Sequence, residues 1–319
     1  SSPLEDQVKR ALVHPIHRGS LRIHTHNYIS FYEKDKTGND LLLKLSKLDF
    51  NYVQNMHKRD ICQVSRWWNE LKSSFPYVRD RIAEACLWGT TFHFEPQYSY
   101  VRKTIAKTIQ ILTMLDETYD IYATVEEADL FTESLQRWNI DEIHPLPDYM
   151  KIIYRIILST YEDYERDAAE HGKLFAAPCA KEVMKQVCKA YNKEIKWTKR
   201  QELPCFEEYI ENSVMAGCLF AICSTTIPGM KYITKETVDW LMSVPKIVVA
   251  SSTLGRYLDD VNGYKGEIME GKYLIGVDYY MKQHDVSLHE AKEKFIELAE
   301  NEWKGLNKEW TSVPKDMLE

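Results

Sequence analysis

A chain of 319 residues, 44% hydrophobic and 28% charged, carries enough apolar material to bury a large core and is a poor candidate for disorder. Its formal charge of −7, with basic residues scattered along the chain, argues against a broad nucleic-acid surface. Seven cysteines form no CxxC pair, are odd in number and lie mostly in apolar helical context, which argues against a disulfide framework and fits reduced thiols.

The first residues, "SSPLEDQVKRALVHP", have neither a signal-peptide core nor transit-peptide character. No apolar run reaches the roughly 18 residues that would span a bilayer, so the expectation is a soluble chain with no membrane span. His14, His17, His24 and His26 crowd the next segment, but no cysteine lies near them and zinc is not expected. "RIHTHNYISFY", residues 22–32, is the one stretch whose β-branched and aromatic content hints at strand, and a lone strand has nothing to pair with.

Helical periodicity takes over from Asp40. Apolar residues recur at helical spacing in "DLLLKLSKLDFNYVQNMHK", "VRKTIAKTIQILTML", "YMKIIYRIILSTYEDY", "PCAKEVMKQVCKAYNKEIKW", "EEYIENSVMAGCLFAICST" and "LHEAKEKFIELAENEWKGL". Pro76, Pro96, Pro145, Pro147, Pro204, Pro228 and Pro314 punctuate these runs, and Thr124 with Glu127 and Ser287 with Glu290 have capping-box spacing. The pattern predicts an all-α fold of about ten to twelve helices. With no internal repeat or long linker, a single domain over residues 1–319 is the simplest organisation.

Two acidic stretches stand out against this background. In "IQILTMLDETYDIYAT", residues 109–124, an apolar run ends in Asp116, Glu117 and Asp120. On a helix, Asp116 and Asp120 share a face and repel, while Glu117 lies about 100° around. Either the helix end emerges into water before the cap at Thr124, or the pair binds a divalent cation that offsets the repulsion. In "STLGRYLDDVNGYKGEIMEGK", Asp259, Gly263 and Glu267 fall at spacings of four on one stripe. Each glycine inside a helix costs about 1 kcal/mol relative to alanine. Gly255, Gly263 and Gly266 therefore either mark a broken or closely packed helix, or leave room at Gly263 for a metal-bound water. Arg79 and Arg81 follow Pro76, and Arg256 precedes Asp259 by nearly one turn. Acids, divalent metals and arginines around one place describe a diphosphate site.

At these residues the chain resembles the class I terpene synthases, most closely the plant sesquiterpene synthases. The matching segments are "VSRWW" (64–68), "RDR" (79–81), "FEPQYS" (94–99), "LDETYD" (115–120), "LQRWNIDEIHPLPDYMK" (135–151) and "RYLDDVNGYKGE" (256–267), and the likeness spans almost the whole chain. The resemblance implies an all-α class I terpenoid synthase helical bundle around a central cavity. It also implies Mg²⁺-dependent ionisation and cyclisation of farnesyl diphosphate to a sesquiterpene, with release of diphosphate.

Carried over by position, Asp116 and Asp120 are the metal ligands of the aspartate-rich motif. Asp259, Gly263 (through water, in place of a Ser or Thr) and Glu267 form the second metal motif. Glu117 replaces an Asp that is not normally a ligand, so tolerance with some change in rate or product mixture is expected. Arg79, Arg81 and Arg256 match the diphosphate-binding arginines, and Trp88 an aromatic lining the hydrocarbon cavity. Three Mg²⁺ ions are implied, with Mn²⁺ as the alternative, together with a cytoplasmic location. "SVMAGCLFAICST" aligns with a broken helix, and Ala216 with Gly217 suits a kink there. Plant members also carry an N-terminal helical domain, last C-terminal helices and a lid loop that these residues do not match, so a partial chain is expected. Two rivals remain at this point. One is a prenyl diphosphate synthase, which would present two DDxxD motifs; the other is a degenerate synthase that binds isoprenoid diphosphate without turnover.

Overall fold

The computed structural model describes residues 3–13, 15–35, 37–200, 202, 204–270 and 274–312, with the side chains of 265–270 outside the description. Among the described residues every regular element is helical, and the chain divides into two compact units, Ser1–Leu71 with Asp80–Lys107, and Lys72–Arg79 with Thr108–Glu319.

The first unit holds α1 (Pro3–Val13), α2 (Leu21–Tyr32), α3 (Asp40–Leu71), α4 (Ile82–Phe92) and the opening turns of α5 (Ser99–Glu117). The strand hint over residues 22–32 is corrected here, because those residues lie in α2. A helix satisfies its own backbone groups, which an unpaired strand cannot do, and that requirement outweighs β-propensity. Helix α3 buries Val53, His57, Asp60, Val64 and Trp68, a stripe at helical spacing with two polar members. Both are satisfied. His57 Nε2 bonds the carbonyl of Phe94 at 2.8 Å, and the Asp60 carboxylate accepts from Ser99 Oγ and from Arg102 Nε at 2.8 Å. Arg102 also donates to the carbonyls of His93 (3.0 Å) and Glu95 (2.6 Å), so "FEPQYS" is the turn that this buried ion pair clamps between α4 and α5. Gly89 is required there, since a Cβ would stand 2.6 Å from the Arg102 carbonyl.

The second unit holds the rest of α5, then α6 (Val125–Arg137), α7 (Asp148–Glu170), α8 (Ala177–Arg200), α9 (Phe206–Ala216), α10 (Cys218–Thr226), α11 (Lys235–Met242), α12 (Lys246–Glu270), α13 (Gly276–His284) and α14 (Leu288–Ser312). Its core is supplied by the faces that periodicity marks. Val183, Met184, Val187, Cys188, Tyr191 and Ile195 of α8 are all buried, and full burial of a Val or Ile side chain contributes about 1.5–3 kcal/mol. Both capping boxes form, Thr124 with Glu127 and Ser287 with Glu290. The helix count exceeds the expected range because α1 and α2 precede the first run in which helical periodicity is read and because "EEYIENSVMAGCLFAICST" is two helices. The backbone turns to φ −66°, ψ 157° at Gly217, as the Ala216–Gly217 pair suggests. Contrary to the expectation that no apolar run is long enough, Phe206–Gly229 is long and apolar enough to cross a membrane, and half of its most apolar stretch is buried within the protein. None of the seven cysteines is in a disulfide.

Candidate functional site

Helix α5 carries the first acidic stretch into the second unit and ends in a single π turn, Thr118–Tyr122, closed by a bond from Ala123 N to Thr118 O at 2.8 Å. With α-helical spacing throughout, Asp116 and Asp120 would share one face; the extra residue in the π turn rotates Asp120 relative to Asp116. The two carboxylates still act on each other. Burial raises the Asp120 carboxyl well above the usual carboxylate range, and Asp116, Glu194 and Glu117 push it further while Lys199 opposes. Asp116 and Asp120 are both half-buried, whereas Glu117 is 1% exposed and its carboxylate accepts from Arg79 Nε.

Helix α12 runs unbroken through Gly255, Gly263 and Gly266, which removes the broken-helix reading of those glycines. At Gly255 a Cβ would meet nothing within 4 Å, so close packing does not explain that glycine either. Gly263 lies one turn beyond Asp259 on the same helix. The side chain of Glu267 lies outside the described residues. Asp259 is exposed, its side chain 69% accessible, while its neighbour Asp260 is buried. Arg256 joins them: it is ion-paired with Asp259 and, at 2.7 Å, with Asp260. Burial opposes the charge of Arg256, but Tyr209, Asp260, Asp259 and Glu194 together hold its guanidinium more firmly protonated than an ordinary arginine. Tyr209 OH donates to Asp260 at 3.2 Å. The start of α13 accommodates this group, since a Cβ on Gly276 would stand 2.3 Å from Asp260 Oδ2 and 2.7 Å from the Tyr209 ring.

Glu194 of α8 links the two acidic helices. Its carboxyl is pushed up to about 7, chiefly by burial and then by Asp116, with Arg256 and a 3.2 Å bond from Asn212 opposing and Asp260 adding to the rise. One side chain thus feels Asp116 from α5 and the Arg256–Asp260 pair from α12. Sequence reading passed over it, together with Asp260 and Tyr209. The signal was present: Glu194 falls three residues after Tyr191 and seven after Val187, an acid on a buried apolar stripe.

Arg81 and Trp88 belong to the first unit, where Arg81 begins α4 and is ion-paired with Glu84, and Trp88 is exposed with its ring 6.2 Å from Phe92. Arg79 belongs to the second.

Among the described residues no three His, Cys, Asp or Glu side chains stand close enough together to hold a metal ion. The donor set nevertheless suits a hard cation. Its side-chain members are carboxylates, burial and then repulsion from Asp116 raise Asp120 and Glu194 towards protonation, and Mg²⁺ typically takes one or two carboxylates and fills its remaining positions with waters and phosphate oxygens.

The chain is 47% identical over 312 residues to gamma-cadinene synthase of Ocimum basilicum, covering 97% of this chain and 58% of that protein. It is 46% identical over 316 residues to tau-cadinol synthase of Lavandula angustifolia, covering 98% and 57%. It therefore spans less than two thirds of the length of these relatives. Isoprene synthase from grey poplar leaves (Populus x canescens), solved with three Mg²⁺ ions and dimethylallyl-S-thiolodiphosphate, superposes with a TM-score of 0.91 at 30% identity over 97% of this chain and 60% of that one. The family described as "Terpene synthase family, metal binding domain" matches residues 69–305, a span that takes in both acidic helices, and the chain belongs to that family.

Proposed function

We propose that this chain is the catalytic portion of a sesquiterpene synthase that ionises farnesyl diphosphate in the presence of Mg²⁺ and lets the allylic cation cyclise. The observation that carries the reading is the position of Glu194, on which Asp116 of one motif and Arg256 with Asp260 of the other both act. The names of the relatives support the C15 substrate class, and the Mg²⁺ complex of isoprene synthase supports the metal.

In this reading Asp116 and Asp120 hold metal at the end of α5, and Asp259, the space at Gly263 and Glu267 hold it on α12. Bound Mg²⁺, three ions in the full complement with Mn²⁺ as substitute, would supply positive charge for the diphosphate oxygens. The chain's own residues do the rest. Arg79, Arg81 and Arg256 direct guanidinium donors to the diphosphate, and Arg256 stays charged at any working pH because Asp259 and Asp260 surround it. The allylic C–O bond breaks heterolytically, its electron pair leaves with the diphosphate, and fixed charge stabilises the anion as it forms. Trp88 is the aromatic proposed to face the cation, a contact worth about 0.5–2 kcal/mol. Loss of a proton then gives a hydrocarbon, and capture of water an alcohol. Free cysteines suit a reducing compartment, and the cytosol is the proposed location.

Incubation with farnesyl diphosphate followed by headspace analysis tests the assignment. A C15 product that appears with Mg²⁺ and vanishes with chelator is expected. Turnover of geranyl diphosphate alone would refute the C15 assignment, and binding without product would favour a degenerate synthase.

A further inference from the structure

Glu117 occupies an unusual position for a charged residue. It is 1% exposed, at the junction of α5 with the π turn, while the Arg79 side chain to which it is ion-paired is 65% exposed. A buried carboxylate is costly unless partnered, and here the partner reaches in from the surface. The contact uses Arg79 Nε, the guanidinium nitrogen nearest the backbone. The two Nη groups lie at the outer end of the same rigid plane, so a guanidinium anchored in this way is oriented before any oxyanion arrives.

The segment carrying Arg79 is tied to the same turn twice more. Tyr77 OH lies 3.1 Å from Thr118 Oγ1, and the Tyr77 ring stacks on Tyr122 with centroids 4.3 Å apart and planes 12° from parallel. Gln110 Nε2 of α5 also reaches the Arg79 carbonyl, at 3.4 Å. Residues 77–79 and 117–122 therefore form one clamped unit, tied by hydrogen bonds, a ring stack and the Arg79–Glu117 ion pair.

We propose that Glu117 is a positioning residue: it does not ligate metal but anchors Arg79 through Nε so that the Nη edge meets the substrate diphosphate. An aspartate at this position is one methylene shorter and would hold Arg79 less closely. The inference rests on the reading of Arg79 as a diphosphate contact.

The test is a double-variant cycle on the whole chain, with inorganic pyrophosphate plus Mg²⁺ as the binding probe and farnesyl diphosphate as the substrate. Glu117→Asp should weaken Mg²⁺–pyrophosphate binding about tenfold and raise KM more than it lowers kcat, with the Mg²⁺ concentration for half-maximal binding unchanged. Placed on Arg79→Ala, it should cost less than about twofold more, because the group it positions is gone. Glu117→Gln, which keeps the shape and an acceptor for Nε–H, should fall between wild type and Glu117→Asp. Full multiplication of the two effects, a shifted Mg²⁺ requirement, no effect at all, or loss of fold in both Glu117 variants each overturns the proposal. A wild-type chain that neither binds Mg²⁺–pyrophosphate nor turns over substrate overturns the functional reading as well. One that binds while the variants act independently overturns this inference alone.

Discussion

Glu194 shows how far a single residue can depart from what its local sequence suggests. In "AYNKEIKW" it looks like one more solvated acid on a charged helix, yet the fold sets it 3.2 Å from Asn212 and within electrostatic reach of Asp116, Arg256 and Asp260. Its carboxyl titrates at about 7 in the folded chain against an ordinary 4.5. The linkage sign follows from that order. Well below pH 4.5 both states are protonated and the group contributes nothing. Between 4.5 and about 7 the folded chain retains a proton that the unfolded chain has lost, so stability falls as pH rises, and above about 7 the whole penalty is present. Metal-free Glu194→Gln should therefore melt close to wild type at pH 5 and above it at pH 8. Each 1 kcal/mol moves the midpoint by roughly 2 °C in a chain of this size. A gap that closes as pH rises would contradict the placement. The motif residues are a different case. Asp116, Asp120, Arg256 and Asp259 could be named from spacing because they follow one another on two helices, whereas Glu194 joins them only through a third helix that sequence distance does not reveal.

At the scale of elements, the close approach of α13 to α12 depends on one residue. Gly276 opens α13 where a Cβ would collide with both Asp260 and Tyr209, and Phe295 of α14 stands 3.3 Å away on another side. The collision falls on a buried carboxylate and a tyrosine ring, neither of which has room to yield. Gly276→Ala should destabilise the chain by about 1–3 kcal/mol and raise KM for the diphosphate substrate, because Asp260 is displaced from Arg256. Thermal melting and steady-state kinetics check this, and a wild-type KM would show that Arg256 does not depend on Asp260 for its position. The helix starts and stops show which elements could be read in advance. Thr124, Ser287 and Gly217 act through neighbours within a few residues and were legible. The π turn at Thr118–Tyr122 was not, because it is held by Tyr77, some forty positions away. Residues 22–32 misled for a related reason: their composition favours strand, but nothing among the described residues offers a strand to pair with.

For the molecule as a whole, the all-helical architecture follows from periodicity alone, since most apolar runs have the period of a helix and almost none the period of a strand. What periodicity could not show is that the chain packs as two units, with α5 contributing to both. The account's central claim is that α5 and α12, whose motifs begin 143 positions apart at Asp116 and Asp259, serve one diphosphate. Pyrophosphate release from farnesyl diphosphate tests it most directly, measured with and without Mg²⁺ for wild type, Asp116→Asn, Asp259→Asn and the double variant. The prediction is release only with metal, a loss of at least about a hundredfold in either single variant, and a double variant scarcely worse than the singles, as for groups that act as a unit. A wild-type rate in either single variant, or release that ignores the metal, would contradict it.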